Sequence, residues 1–228
     1  MTATPIGTTG AAGAVGRLTA VCVVHELIPG PKDVGTTAID KRPVAAGVPV
    51  GPLGLAGDQV CDVEYHGGPE QAVYAYADED AAWWAQDLAR EIPPGLFGEN
   101  LRTSGIDVSG ALIGERWRVG AGVLLQVTCP RIPCQTFHVR MGEPHWTKRF
   151  VDRGAPGAYL AVVEPGVLQA GDEVHVAYRP PHDVTVADVF LRPDPAALQR
   201  LLDADGHDGF ALTPKMRAVA EHGVARSA

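Results

Sequence analysis

From Arg17 to Arg179 the chain is a succession of short β-prone runs, each cut off by glycine or proline: RLTAVCVVHE, VPVGPLGL, QAVYAYA, RWRV, VLLQVT, AYLAVV and EVHVAY. Runs of this length and spacing pair with neighbours across turns, whereas alternating β-α units would need a helical crossover after each strand. The 27 Gly and 19 Pro supply those turns and exceed what a helical bundle carries. The expectation is a mainly β barrel or sandwich over residues 17–180.

One helix is expected to interrupt it. In DEDAAWWAQDLARE, residues Ala81, Trp84, Ala85 and Leu88 share a face, Asp78 stands at the cap, and Pro93-Pro94 ends the element. Trp84 is read as core. Residues 1–16 hold little that can be buried and are expected to be a flexible tail. Their glycines make neither a Walker loop, which needs a following Lys-Ser/Thr pair, nor a dinucleotide fingerprint, which needs a preceding strand. After Pro180-Pro181 three helical segments are expected over residues 181–228, as a small C-terminal three-helix subdomain. Their start signals are Thr185 with Asp188, Asp194-Pro195, and Thr213-Pro214.

A formal net charge of −8 argues against a general nucleic-acid binder, because phosphate neutralisation needs clustered Lys and Arg. No apolar run reaches the ~20 residues that cross a bilayer, and no basic segment precedes an apolar stretch at the N-terminus. An untargeted, cytoplasmic protein is expected. Four cysteines, Cys22, Cys61, Cys129 and Cys134, are too few for a disulfide scaffold in a chain this long, so reduced thiols are the default.

The segment TCPRIPCQTFH, residues 128–138, carries the strongest chemical signal. Prolines end strand pairing and stiffen the loop, and a thiol beside the Arg131 guanidinium favours the thiolate. Cys134 is the candidate. Other readings stand beside it: a Cys129–Cys134 disulfide, a zinc site from Cys129, Cys134 and His138, a nucleophile paired with His138 or His66, or a plain buried cysteine. In YHGGPEQAVYAYADED, Gly67 and Gly68 allow close backbone approach and His66 can donate to an anion, or the stretch is only a hairpin turn. FGENL offers Glu99 and Asn100 in a glycine-led turn, and TTAIDKRPV offers Lys41 and Arg42 as a small basic site or as solvated charge.

In order and spacing, TTAIDKRPVAAGVPVGPLGLAGD, YHGGPEQAVYAYADED, FGENL, PRIPC and GAYLAVVEPGVLQAGDEV, followed by a helical tail, resemble the MOSC family in its YiiM-like branch. That family is named for the C-terminal domain of molybdenum-cofactor sulfurases. The resemblance implies a MOSC-type β-barrel with a few inserted helices. It also implies that Cys134 either ligates the metal of a molybdopterin-type molybdenum-pterin cofactor or carries sulfur as a persulfide. By the same resemblance the activity is reduction of N-hydroxylated compounds such as 6-hydroxylaminopurine to amines, with His66 and Glu99 beside Cys134 as catalytic candidates. Thr37, Lys41, Arg42, Gly67, Gly68, Asn100 and Arg131 are the implied cofactor-binding residues, although Thr36-Thr37 stand where many relatives have Lys and Ser. The implied partners are a small N-hydroxylated substrate and a separate electron-donor reductase, since no flavin, haem or iron–sulfur motif is present, with no nucleic acid and no membrane, in a monomer or homodimer. The alternatives are a sulfur carrier or transferase and a cofactor-binding module without activity. The pyridoxal-phosphate binding of the sulfurases belongs to a domain that this sequence lacks, which favours the reductase.

Overall fold

The computed structural model describes residues 15–31, 35–63, 66–191 and 193–226. Of the tail expected over 1–16, residues 1–14 lie outside the described residues, whereas Val15 and Gly16 already pair with His175 and Val174. The described residues form eleven strands: β1 (Val15–Pro29), β2 (Thr36–Pro43), β3 (Val48–Gly51), β4 (Gly54–Leu55), β5 (Val73–Ala77), β6 (Leu101–Ser104), β7 (Arg116–Val119), β8 (Val123–Pro130), β9 (Ala158–Glu164), β10 (Gly166–Leu168) and β11 (Glu173–Tyr178). Five α-helices accompany them: α1 (Asp78–Asp87), α2 (Gln135–Met141), α3 (Trp146–Arg153), α4 (Pro195–Ala204) and α5 (Pro214–Ala225).

Seven strands close a barrel in the order β1-β11-β7-β8-β9-β5-β6, with β6 returning to β1. Only β5 and β6 run parallel; the other barrel pairs are antiparallel. Closure satisfies the edge amides that an open sheet would expose. The length of β1 lets it serve twice. Its residues up to Val21 are a barrel stave, and from Cys22 to Pro29 it leaves the barrel and pairs with β2. A small second sheet, β10-β3-β4, lies against the barrel.

Strand β5, VYAYA, is buried on both faces, so its period-2 alternation separates two cores. Val73, Ala75 and Ala77 point into the barrel with Leu101, Trp117, Leu125 and Leu160. Tyr74 and Tyr76 point outward into an aromatic layer with Trp84 of α1, Phe97, Phe137 of α2, and Trp146 and Phe150 of α3. Trp84 is fully buried, as the helical face predicts, and its indole donates to the Tyr76 hydroxyl at 3.0 Å. Helices α4 and α5 do not build a core of their own, because Leu198, Leu201, Met216 and Ala220 join the barrel cluster.

Several local expectations are corrected. Ala77, not Asp78, is the cap of α1, and Asp78 reaches Arg102 at 3.6 Å instead. The helix ends at Leu88, before the two prolines, with Ala89 in the left-handed region. Helices α2 and α3, between β8 and β9, were not read from the sequence as helices: they span only seven and eight residues, too short for a repeated apolar stripe to stand out. Of the three C-terminal helical segments, α4 and α5 form with the expected caps, Asp194 accepting from the Ala196 amide and Thr213 from the Met216 amide. Thr185 and Asp188 do make the reciprocal bonds of a capping box, at 2.9 and 3.1 Å, but around a turn, while Thr185 bridges to Leu112. The described residues contain no helix long and apolar enough to cross a membrane.

Loop 93–98 is pressed onto β2, and this fixes the wall on which the cleft described below is built. At Gly95, with φ of +87°, a Cβ would collide with the Lys41 carbonyl oxygen. Gly95→Ala is expected to lower stability by roughly 1–3 kcal/mol, measured by urea unfolding; a wild-type midpoint would show that the loop yields at no cost.

Candidate functional site

Pro130 ends β8, and the chain runs through Arg131, Ile132 and Pro133 to Cys134, which stands at the start of α2. That helix is held in place at its far end. Arg140 bonds Asp40 of β2 at 2.6 Å, and Phe137 and Met141 are buried in the aromatic layer. Cys134 therefore sits on a fixed backbone, half-buried, and it lines a cleft of about 150 Å³ that opens partly to solvent.

Burial alone would raise the Cys134 thiol. A hydrogen bond from His66, the charge of Arg131 and the Phe137 backbone amide outweigh it and bring the pKa down from 9.0 to about 6. At neutral pH the sulfur is a thiolate. Cys22 and Cys129 differ: burial, with Glu99 nearby, pushes Cys22 up to about 12, and burial also raises Cys129. All four cysteines are free, so Cys129 and Cys134 are not bridged.

Arg131 is buried, with its guanidinium over the rings of Phe137 at 4.1 Å and Tyr74 at 5.0 Å, and it donates to the Phe97 carbonyl. It makes no ion pair with a carboxylate among the described residues. A buried charge demands compensation. Burial works against the guanidinium charge, yet its pKa is raised, because Tyr74, Tyr159 and Cys134 favour the charged form. Thiolate and guanidinium therefore hold each other ionised.

The facing wall is organised by Asp58. Its carboxylate accepts from the Val24 amide at 3.0 Å, from Asn100 Nδ2 at 2.7 Å and from Lys41 Nζ. Asn100 in turn accepts from the Tyr74 amide at 3.1 Å and donates to the Cys22 carbonyl at 3.3 Å. Lys41 and Asn100 thus line the cleft with much of their bonding capacity spent. Burial pulls the Lys41 pKa down despite the Asp58 charge beside it.

The structure brings Cys134, His66, Gly67, Thr37, Lys41, Asn100 and Arg131 to one cleft and leaves three expected residues outside it. Gly68 leads into a 3-10 turn at Pro69–Gln71, with φ of 78°. Arg42 falls on the opposite side of the pleat from Lys41, largely exposed and paired with Asp40 at 3.1 Å. Glu99 is fully buried; it accepts from the Gly95 and Phe97 amides at 2.7 and 3.0 Å and pairs with Arg102, so it is scaffold, not a proton donor in the cleft. Asp58, Gln71, Tyr74 and Tyr159 also line the cleft and were missed. Tyr74 and Tyr159 lie in strand patterns that read as core, and Asp58 and Gln71 lie in turns where a polar residue carries no special signal.

No group of three or more His, Cys, Asp or Glu side chains able to hold a metal ion gathers among the described residues, so Cys129, Cys134 and His138 do not make a tetrahedral set. The cleft offers the Cys134 thiolate beside the Arg131 guanidinium, with the Cys61 thiol also in its lining. That donor set fits a metal group that brings most of its own ligands, and does not fit a bare ion.

The family model described as the MOSC domain matches residues 62–175. The chain is similar to protein YiiM of Escherichia coli (strain K12), 30% identical over 179 residues that cover 75% of this chain and 79% of that protein. It is also similar to a protein of Gibberella moniliformis named a reductase, 32% identical over 148 residues, 64% of this chain and 26% of that longer protein. The crystal structure of YiiM from Geobacillus stearothermophilus superposes with a TM-score of 0.72 at 25% identity, covering 92% of this chain and 99% of that one.

Alkylation of Cys134 by iodoacetamide should rise with pH through a midpoint near the thiol pKa of about 6, because only the thiolate reacts. In His66→Ala the midpoint should move upward; an unmoved profile would remove His66 from the account. Glu99→Gln should cost up to about 3 kcal/mol in urea unfolding, because Arg102 keeps only the Asp78 carboxylate at 3.6 Å to balance its charge, while leaving the Cys134 alkylation profile in place. A shifted profile in a folded Glu99→Gln protein would return that carboxylate to the site.

Proposed function

Because the chain belongs to the MOSC domain family, in its YiiM-like branch, we propose that it is a molybdenum-cofactor oxidoreductase that reduces N-hydroxylated compounds, with Cys134 as the protein's ligand to the metal. The observation that carries this reading is the Cys134 thiolate, exposed to an open cleft and held ionised by Arg131 and His66. The MOSC domain is associated with molybdenum-cofactor binding, and a reductase-named relative supports the direction of the chemistry.

When bound, the molybdenum-pterin group supplies a two-electron centre at which N–OH, two electrons and two protons become N–H and water. The chain's own tasks are narrower. Cys134 presents a soft sulfur without companion protein ligands, which suits a metal already carrying a dithiolene. Arg131 stabilises negative charge gathered around that sulfur. It needs no carboxylate of its own, since one would cancel its charge. His66 stands within hydrogen-bond reach of Cys134 and can hold a proton at the mouth of the cleft. Asp58 keeps Lys41 and Asn100 in fixed orientations, so the wall opposite is rigid before a ligand arrives. A separate reductase delivers the electrons.

The test is metal content. Protein purified from a cofactor-competent host is expected to contain stoichiometric molybdenum and pterin, and Cys134→Ala to lack the metal while folding normally. Normal molybdenum in that variant would defeat the assignment. An added sulfur mass on Cys134 without pterin would select sulfur transfer instead, and pterin without reduction of 6-hydroxylaminopurine by an artificial donor would select a cofactor-binding module.

A further inference from the structure

After β11 the chain crosses to helices α4 and α5 along a segment that is bonded back onto the barrel. Ile113 donates to the Val184 carbonyl at 3.1 Å, Val186 to Ala111 at 2.9 Å and Ala187 to Ser109 at 2.9 Å. His182 stands where this join begins, and both nitrogens of its ring are engaged. Nε2 lies 2.9 Å from the Ile113 carbonyl oxygen, and the Val184 amide reaches Nδ1 at 3.1 Å. A carbonyl can only accept and an amide can only donate, so the two partners fix the tautomer: the proton is on Nε2, and Nδ1 carries the lone pair.

The helical pair closes on the same ring. Phe210, between α4 and α5, packs edge-on against it with centroids 4.8 Å apart, and is itself pressed onto Gly114, where a Cβ would collide with the phenyl ring. Arg200 of α4 pairs with Asp183 at 2.8 Å. Burial pulls the His182 pKa below its ordinary 6.5, aided by Arg200 and opposed by the Ile113 carbonyl and Asp183. The other charged groups nearby are occupied or face solvent. On the barrel side Glu115 pairs with Arg179 at 3.5 Å and accepts from the Trp117 indole at 2.8 Å. On the helical side Asp205 pairs with Arg217, while His207 and Asp208 are exposed on the turn before Phe210.

We propose that His182 is an acid-sensitive latch between the barrel and the C-terminal helices. A proton added at Nδ1 sets N–H against the Val184 N–H, strips that buried amide of its acceptor, and loosens α4 and α5 while the barrel stays closed. The ring is only half-buried, so solvent protons reach it. The sign follows from the neutral tautomer: the latch holds above the ordinary histidine value of 6.5, weakens as pH falls below it, and is open once the folded-state pKa has been passed. Helix α5 also rests against the cleft wall, its Lys215 amide lying 3.5 Å from Glu70 Oε1, beside the cleft-lining Gln71. Opening the latch therefore leaves that wall with one support fewer.

The experiment is amide hydrogen exchange of the full chain at about pH 7.5 and about pH 5, expressed as protection factors so that the intrinsic pH dependence of exchange divides out. In the wild type, protection at Val184 and at Leu201 of α4 should fall by about tenfold at the lower pH, while Tyr74 of β5 keeps its protection. His182→Asn should abolish that fall: its Oδ1 can accept from the Val184 amide two residues on, as in an Asx-turn, and it takes up no proton. The variant leaves Glu115, Asp183 and Arg200 in place, so a fall of the same size in it would assign the effect to them and overturn the proposal. Unchanged protection at Val184 in the wild type, or an equal loss at Tyr74, overturns it as well. Ring ¹⁵N shifts of His182 in the wild type give a reading that needs no variant: the Nε2–H tautomer is expected at about pH 7.5, and the Nδ1–H tautomer would remove the latch.

Discussion

Strand β5 has to satisfy two cores at once, and much of the molecule follows from that. With small and branched residues facing the barrel and tyrosines facing out, it can hold no polar side chain that is not bonded at its tip. Tyr76 meets the Trp84 indole, and the Tyr74 hydroxyl donates to the Pro156 carbonyl at 2.8 Å. The outward tyrosines give α1, α2 and α3 an aromatic surface to pack on, and α2 is the element that carries Cys134 into place. The site is thus an outgrowth of the barrel wall, positioned by the aromatic layer between helices and sheet.

Charge in and around the cleft is arranged in three different ways, and the differences separate scaffold from chemistry. Glu99 and Arg102 cancel each other in full burial, wrapping loop 92–98 around themselves. Lys41 and Asp58 also cancel, but at the cleft surface, where Asp58 ties β1, β2 and the residue before β6 into one wall. Of the three cations, Arg131 has aromatic faces and a carbonyl in place of a carboxylate, leaving its field directed at a sulfur. A pair already neutralised can orient a ligand but contributes little net charge; the hydrogen bond from His66 and the uncompensated guanidinium together bring the Cys134 thiol down.

The strands were legible because alternation and glycine-proline punctuation are local signals, and every run read as β-prone contributes to a strand, whereas closure into a barrel rather than a sandwich was implied by the family resemblance alone. The helix 78–88 and the caps of α4 and α5 were legible for the same reason, although Ala77 took the cap that Asp78 was expected to supply. Helices α2 and α3 were not, since they are short and owe their stability to Phe137, Trp146 and Phe150 meeting an aromatic layer built by distant strands. Thr185 and Asp188 show the reverse: the local bonding rule held, but bridging to Leu112 kept the backbone from continuing as a helix.

By itself the sequence determined that the chain would be a mainly β barrel or sandwich and set a cysteine near an arginine on a proline-stiffened loop, because both depend on neighbours along the chain. Only the tertiary structure decided which polar groups open into the cleft. Lys41 finds Asp58 across 17 positions, Gln71 meets Cys129 across 58, and Arg42 turns away because a pleated strand sends adjacent side chains to opposite faces. Glu99 looked like a free acid in a turn and is instead the anchor of a buried ion pair three residues from its partner. Whether a carboxylate is reactive or spent depends on what surrounds it in space, and that is settled only when the chain has folded.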